Sequence, residues 1–515
     1  MQKYLQLICM LLTGLLCTGV LAACSKEDAS QTAKPDPATE ITVNNEFVIT
    51  VPANATEEEL SAARSVQTAL KAMDLTLPIQ TDSQTAKHEI VIGKTSRVES
   101  TSAANELNAG DFTVAAMGSA ELGHKIALAA SDDDGIALAA IYFNYTILKG
   151  DSAGNLSASH TFTYRRSDLT VGGTALSSFS VLYAKEGARA DKNIEAAKYG
   201  DTVQIFADLL KKATGTAPTL VEDGGRFQPT GNLILFGDTT LQDDDSLYSN
   251  RYTPVGSYKV QLKGDKIVLG GHNPCSALAA GEAFVNSILN AKDGKIDQLS
   301  LKGEKKIIKV GCVGDSITYG TGSDDSSMQS YPVYLQRMLG YDYYVEKYGA
   351  PGHSLIETDD TTFLKNAYFE QSVNAHLDVV IIMLGTNDCR SQKWADSAHK
   401  DWRDPQRTTT FLASGQKLID AYRGTNKDIQ IIWATCPTVP QDKDYGTDWT
   451  SRLERYGNPC VRQLAEANGC GLIDIFTYSQ NHLEMFEGSD GLHCKNEGYA
   501  ILAQGFYELT KDLLP

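Results

Sequence analysis

The sequence predicts an α/β protein: a parallel sheet of about five strands with helices on both faces, preceded by two duplicated small α+β domains. Three observations carry this expectation. From residue 305 onward, apolar strand-like runs alternate with helical patterns, as in a parallel sheet covered on both sides. Upstream, one order of strand, helix, strand, hairpin and helix occurs twice. The two copies also share a matched strand end, Ile90-Val91-Ile92-Gly93-Lys94-Thr95 against Ile234-Leu235-Phe236-Gly237-Asp238-Thr239. A chain of 515 residues has room for several such domains.

The N-terminus reads as a targeting segment. Lys3 supplies a short basic region, Leu5 to Val20 is mostly apolar, and Leu21-Ala22-Ala23-Cys24-Ser25 follows with small residues. The apolar run is short of the roughly 20 residues a spanning helix needs. Leu-Ala-Ala-Cys resembles a bacterial lipobox. That resemblance implies a signal peptide over residues 1–23, a lipidated Cys24, and an exported protein anchored at the bacterial membrane or cell surface. Residues 24–40, rich in Ser, Lys, Asp, Ala, Thr and Pro, read as a flexible tether.

The first copy spans residues 41–168. Glu46 to Val51 is a strand by alternation, and Thr56 with Glu59 forms a capping box before a helix whose inner face is Leu60, Ala63, Val66, Leu70 and Met73. A strand at 89–93, a hairpin from 111–114 and 125–128, and a helix over 137–148 complete it. The second copy, residues 172–300, has a strand at 179–183 and a helix face of Val203, Phe206, Leu210 and Ala213. Its next strand runs over 232–237, and its hairpin turns at Gly264-Asp265 before a helix over 277–289. Both units loosely resemble small α+β domains that accompany carbohydrate-active enzymes. Neither holds a catalytic constellation. Their aspartate clusters, 132–134 and 243–245, lack calcium-loop spacing and read as solvated turns.

In the segment 305–515, strands are expected at 307–313, 343–348, 378–384, 429–435 and 471–475. Helices are expected near 331–340, 361–375, 409–423, 451–468 and 496–513. The run Ile307 to Val313 ends abruptly in Gly314-Asp315-Ser316, which places a serine at a strand tip. Ligands of open parallel sheets bind beyond such tips. A strand-tip serine is a candidate nucleophile when a base lies within reach, and Asp490-Gly491-Leu492-His493, just before a C-terminal helix, offers one.

Four short blocks stand in this order: Gly314-Asp315-Ser316, then Lys347-Tyr348-Gly349-Ala350-Pro351-Gly352, then Gly385-Thr386-Asn387-Asp388, then Asp490 to His493. Together they resemble the SGNH (GDSL-type) hydrolase family over residues 305–515. The resemblance implies a flavodoxin-like SGNH fold and a Ser-His-Asp triad. Ser316 would be the nucleophile, His493 the general base and Asp490 the group that orients it. The oxyanion donors would be the Ser316 amide, the Gly352 amide and the Asn387 side chain. The second block departs from the family at Lys347, where Asn is frequent, which leaves Gly349 as a rival to Gly352. Cys494 stands where Pro is frequent. His353 is expected at the surface. Trp394, Trp402, Tyr445 and Trp449 fall in loops after the third and fourth strands, where sugar rings could stack on them.

Composition narrows the partners. A net charge of −18 argues against nucleic acid and against lying flat on anionic lipid. Seven cysteines follow the lipobox, too sparse for a disulfide scaffold, and no Cys-x-x-Cys pair suggests a zinc site. No metal and no organic cofactor is expected. The blocks, the export signal and the N-terminal pair together imply a serine esterase that removes short acyl groups, acetyl first, from carbohydrates. A lipase, phospholipase or thioesterase with the same triad stays open, as does a non-catalytic glycan-binding lipoprotein.

Overall fold

The structure, a computed structural model, describes residues 40–515 apart from 120–122, 149–155, 158, 184–196, 225–229, 242–254, 272, 391–404 and 441–447. Cys24 and its leader, Asp243 to Asp245, Trp394, Trp402 and Tyr445 lie outside the described residues. The chain divides into two compact units between Ser167 and Asp168. Among the described residues no helix is long and apolar enough to cross a membrane.

The first unit holds a six-stranded sheet in the order Ile79–Thr81, Phe47–Val51, His88–Ile92, Gly123–Ala130, Phe112–Ser119, Thr161–Tyr164. Helix Glu57–Lys71 begins at the expected capping box: the Thr56 hydroxyl accepts from the Glu59 amide, and the Glu59 carboxylate accepts from the Thr56 amide. The aspartates at 132–134 do more than form a solvated turn. Asp132 caps helix Asp133–Tyr142 by accepting from the Gly135 amide, and it also accepts from the Gly110 amide.

The second unit begins with another six-stranded sheet, ordered Thr219–Glu222, Ser180–Tyr183, Leu233–Phe236, Lys266–Gly270, Ser257–Lys263, Ser300–Glu304. The two sheets agree in strand order and in strand sense: each pairs its first four strands in parallel and its last two antiparallel. Side chains then join this sheet to the C-terminal domain. The Lys305 ammonium lies 2.8 Å from Glu282 and 2.5 Å from Asp342, and Asp201 accepts from Arg337 Nε at 2.8 Å and from the Tyr341 hydroxyl at 2.9 Å.

The C-terminal domain is the expected parallel sheet. Its five strands are β1 (Ile308–Gly314), β2 (Tyr343–Gly349), β3 (Val379–Met383), β4 (Gln430–Ala434) and β5 (Gly471–Ile473). All pairs are parallel, in the order β2-β1-β3-β4-β5. Every residue of β3 is buried, so both faces of the sheet are covered. Helices Tyr331–Leu339 and Asn496–Thr510 pack through stacked Tyr331 and Phe506 rings, 4.3 Å apart. Helices Ala367–Asn374, Pro405–Thr425 and Asn458–Asn468 form a second group, in which the Ser372 and Tyr422 hydroxyls meet at 2.7 Å.

The expected helix over 137–148 passes into a π turn at Phe143–Ile147, and two expected helices of the C-terminal domain are interrupted. The segment 361–375 forms a 3₁₀ turn, Phe363–Lys365, before Asn366 caps Ala367–Asn374. The segment 451–468 is a short helix Trp449–Arg452, a π turn Leu453–Gly457, and then Asn458–Asn468, with Pro459 in its first turn, where the missing N–H costs nothing.

Register sets the functional edge. Gly314 pairs with Gly349 of β2 and with Met383 of β3, so three adjacent strands end level. The helix after β1 crosses β2 at Gly349, where an added Cβ would lie 2.3 Å from the Tyr319 amide nitrogen. Gly349→Ala is therefore expected to lower stability by about 2 kcal/mol or more in denaturant titration. Gly424→Ala, in a helix with no atom within 4 Å, should leave stability unchanged or slightly raised.

Candidate active site

A sharp turn takes β1 into a short helix, Ser316–Tyr319. The turn requires glycine at 314, where a Cβ would sit 2.7 Å from the Met383 carbonyl oxygen and 2.1 Å from Thr318 Oγ1. Asp315 caps the helix, its Oδ1 accepting from the Ile317 amide at 2.9 Å. Ser316 is the first helical residue, a position whose amide has no acceptor within the helix. Gly320, at φ +95°, ends the helix. Lys347 serves this end: its ammonium donates to the Tyr319 carbonyl at 3.0 Å and the Ser330 hydroxyl at 3.3 Å. The lysine in place of the family's frequent Asn thus braces the serine-bearing helix.

The loop carrying His493 is held against this helix at several points. The Tyr499 hydroxyl donates to the Thr321 carbonyl at 2.7 Å, and Asn496 Nδ2 donates to Asp324 Oδ2 at 2.7 Å. Gly322, at φ +94°, lets the chains approach, since a Cβ there would come within 2.7 Å of the Cys494 carbonyl oxygen. The last helix begins at Asn496 with Lys495 as its N-cap, so neither Asp490 nor His493 is spent on helix capping. Instead Asp490 Oδ1 accepts from the Leu492 amide at 2.9 Å and the His493 amide at 2.7 Å.

These contacts bring three of the sequence-predicted residues into one chain of hydrogen bonds. His493 Nδ1 lies 2.7 Å from Asp490 Oδ2, and His493 Nε2 lies 2.8 Å from Ser316 Oγ, across 177 positions of sequence. A carboxylate only accepts, so Nδ1–H donates to Asp490, and Nε2 of the neutral ring accepts from the serine hydroxyl. Burial raises the Asp490 carboxyl, but the bonds from the His493 ring and from the His493 and Leu492 amides outweigh it and hold the group well below the usual carboxylate range. Ser316 is 8% exposed and the imidazole 14%.

The other two predicted residues meet beside the next strand ends. Gly352, at φ +77°, sits in the turn after β2, and Asn387 follows β3. Asn387 Nδ2 donates to the His353 carbonyl at 3.0 Å. Of the rival glycines, Gly349 is packed against the Tyr319 backbone, whereas a Cβ on Gly352 would meet only Arg390 Nη2, at 3.5 Å. His353 is tied down through its ring, with Nδ1 2.9 Å from the Pro351 carbonyl and Nε2 3.0 Å from Asn366 Nδ2.

Several residues take their place at the site through contacts across space. Asp388 is buried and accepts from the Leu355 and Ile356 amides at 2.9 Å each, fastening the loop after Gly352 to the tip of β3. Arg407 forms a buried two-pronged pair with Asp359 at 2.7 and 3.0 Å and also donates to the Asp388 carbonyl. Arg390 donates to Asn387 Oδ1 from Nε at 3.1 Å and from Nη2 at 3.0 Å, and to the Gly352 carbonyl at 2.9 Å. Trp449 is not a sugar platform. It is 3% exposed, and its indole N–H donates to the Thr386 carbonyl at 2.9 Å, which places the ring in the core behind the β3 tip. Cys494 is buried, and all seven cysteines after Cys24 are free thiols. Among the described residues no group of three or more His, Cys, Asp or Glu side chains is placed to hold a metal ion.

Burial pushes the Asp315 carboxyl up to about 6, against the pull of the Ile317 amide. The sign follows directly. A carboxyl raised on folding contributes stability that is present below its ordinary value and lost as pH rises through about 6, on the order of 3 kcal/mol at full ionisation. Asp315→Asn keeps the oxygen that caps the helix and removes the ionisation. Thermal unfolding from pH 4 to 8 is expected to show the variant gaining on the parent as pH rises; a difference independent of pH would contradict this.

Comparison with known proteins matches the C-terminal segment to a family. Residues 312–501 match the GDSL-like lipase/acylhydrolase family. An 87-residue stretch is 34% identical to an acetylxylan esterase of Xylanibacter ruminicola, covering 17% of this chain and 18% of that protein. The chain thus spans less than a fifth of the length of that curated relative. Among solved structures, a carbohydrate acetylesterase family member from Sinorhizobium meliloti is 20% identical, with a TM-score of 0.31, over 40% of this chain and 99% of that one. A lipase/acylhydrolase from Enterococcus faecalis is 20% identical, with a TM-score of 0.30, over 41% and 98%. The C-terminal domain of this chain, with its level strand ends and its Ser316–His493–Asp490 chain, is a GDSL-like lipase/acylhydrolase domain.

Proposed function

We propose that this protein is a serine esterase that removes short acyl groups, acetyl first, from carbohydrates, and that Cys24 anchors it by lipid at the bacterial cell surface. The observation that carries the reading is the bond from His493 Nε2 to Ser316 Oγ, with Asp490 behind the imidazole. In this reading Ser316 Oγ attacks the ester carbonyl while His493 Nε2 takes its proton, and the Asp490 carboxylate stabilises the imidazolium. The oxyanion receives hydrogen bonds from the Ser316 amide, the Gly352 amide and Asn387 Nδ2. Collapse breaks the bond to the sugar oxygen, which leaves with the proton from His493. Water, deprotonated by the same ring, then hydrolyses the acyl-serine to the free acid and regenerates Ser316.

Carbohydrate as the acyl carrier is supported by the acetylxylan esterase likeness and by an export signal that would expose the enzyme to extracellular glycans. The two N-terminal α+β domains fit a role in spacing the enzyme from the membrane or in holding the glycan.

The protein should hydrolyse p-nitrophenyl acetate and release acetate from acetylated xylan, with little turnover of p-nitrophenyl palmitate. The reverse preference would move it to the lipases, and no turnover of any ester would leave only a binding role. Ser316→Ala should lower kcat by at least about 10³-fold with folding intact, and Asp490→Asn by about 10⁴-fold through loss of the productive tautomer. Cys24→Ser should move the protein from the membrane fraction to the soluble fraction after export; unchanged membrane association would remove the lipid anchor from the account.

A further inference from the structure

Arg390 uses its guanidinium in an unusual way. Among the described residues no carboxylate pairs with it, and three of its N–H···O contacts go to two neutral oxygens. Both belong to the groups named above as oxyanion donors. Nε and Nη2 converge on Asn387 Oδ1 at 3.1 and 3.0 Å, and Nη2 also reaches the Gly352 carbonyl at 2.9 Å. The Arg390 carbonyl is itself held by the Arg452 guanidinium. Asn387 is 6% exposed, and one hydrogen of its Nδ2 is committed to the His353 carbonyl at 3.0 Å. The other Nδ2 hydrogen is left for a ligand.

A side-chain amide has nearly the same shape with its oxygen and nitrogen exchanged. With Asn387 turned over, its oxygen would face both the developing oxyanion and the His353 carbonyl, and two repulsions would replace two hydrogen bonds. Nothing in the shape of the asparagine prevents this. The His353 carbonyl and the fork of Arg390 do so from opposite sides: the carbonyl needs a donor, and the guanidinium N–H groups need an acceptor. The same cation withdraws electron density from the amide oxygen and so strengthens the opposite N–H as a donor. Its bond to the Gly352 carbonyl fixes the turn, at φ +77°, in which the Gly352 amide is presented.

We propose that Arg390 is a positioning residue for acyl transfer: it locks the Asn387 amide and the Gly352 turn in the one orientation that can receive the oxyanion, and polarises the Asn387 amide toward it. The proposal rests on the reading of Asn387 as an oxyanion donor. Its effect is confined to charge that develops in the transition state, so it should appear in kcat and not in KM.

The test is a double-mutant cycle on the full chain with p-nitrophenyl acetate, using Arg390→Met, Asn387→Ala and the two together, each checked by thermal unfolding. Arg390→Met should lower kcat about 10²-fold with KM changed less than about threefold, close to the loss of one oxyanion donor. The double variant should be slower than Asn387→Ala alone by clearly less than the Arg390→Met factor, because only the Gly352 turn is left for the arginine to hold. Losses that multiply in full would overturn the proposal, since Arg390 would then act independently of Asn387. A slow Asn387→Ala beside a fully active Arg390→Met would overturn the proposal alone. An Asn387→Ala with parental kcat would overturn the oxyanion reading, and the proposal with it. Should Arg390→Met fail to fold, Arg390→Lys, which keeps the charge but not the fork, is read by the same criteria.

Discussion

Three strand ends lying level are the constraint on which the site rests. Gly314 is bonded in register between Gly349 and Met383, so the chain leaves β1, β2 and β3 at one edge of the sheet. Each exit then delivers one polar group within a few residues: Ser316, Gly352 and Asn387. A slip of one residue in either pairing would turn the side chains of that strand to the opposite face. It would also bury the polar tips against the apolar interior of β3. The hydrophobic cost of such a slip keeps these three residues at one level.

The fourth element, the loop bearing Asp490 and His493, is not set by sheet register. It is tied to the serine-bearing segment by Tyr499 on Thr321 and by Asn496 on Asp324, and glycine at 322 allows the contact. Around the edge, buried polar side chains are spent on backbone groups. Asp315 takes the Ile317 amide, Asp388 takes those of Leu355 and Ile356, and Asp359 neutralises Arg407. Breaking such a buried pair strands a charge at a cost of about 3–5 kcal/mol. The described loop residues at this edge are thus held by buried polar contacts.

Much of this was legible in the sequence, and the reasons are local. The five strands of the C-terminal sheet announce themselves as short β-branched runs. The Asp-x-x-His spacing closes within a single turn, so Asp490 and His493 could be paired from sequence. What escaped depends on contacts across space. Arg390 matters because of Gly352, 38 positions away, and Lys347 because of a helix that ends at Tyr319. Trp449 shows the opposite error: a tryptophan in a polar stretch suggested a sugar platform, yet a hydrogen bond to the Thr386 carbonyl draws it into the core. The apolar period over 451–468 survives a π turn that only shifts the register of its bonds, so the sequence there reads as one helix.

The most direct test of the central claim is covalent trapping. The intact protein is treated with a fluorophosphonate, and the adduct is weighed and mapped by peptide mass spectrometry, beside the His493→Ala variant. The account predicts one adduct per chain, on Ser316, formed at a rate that collapses without His493 although residue 316 is still serine. Labelling spread over several serines, or a Ser316 adduct formed as fast in His493→Ala as in the parent, would contradict it.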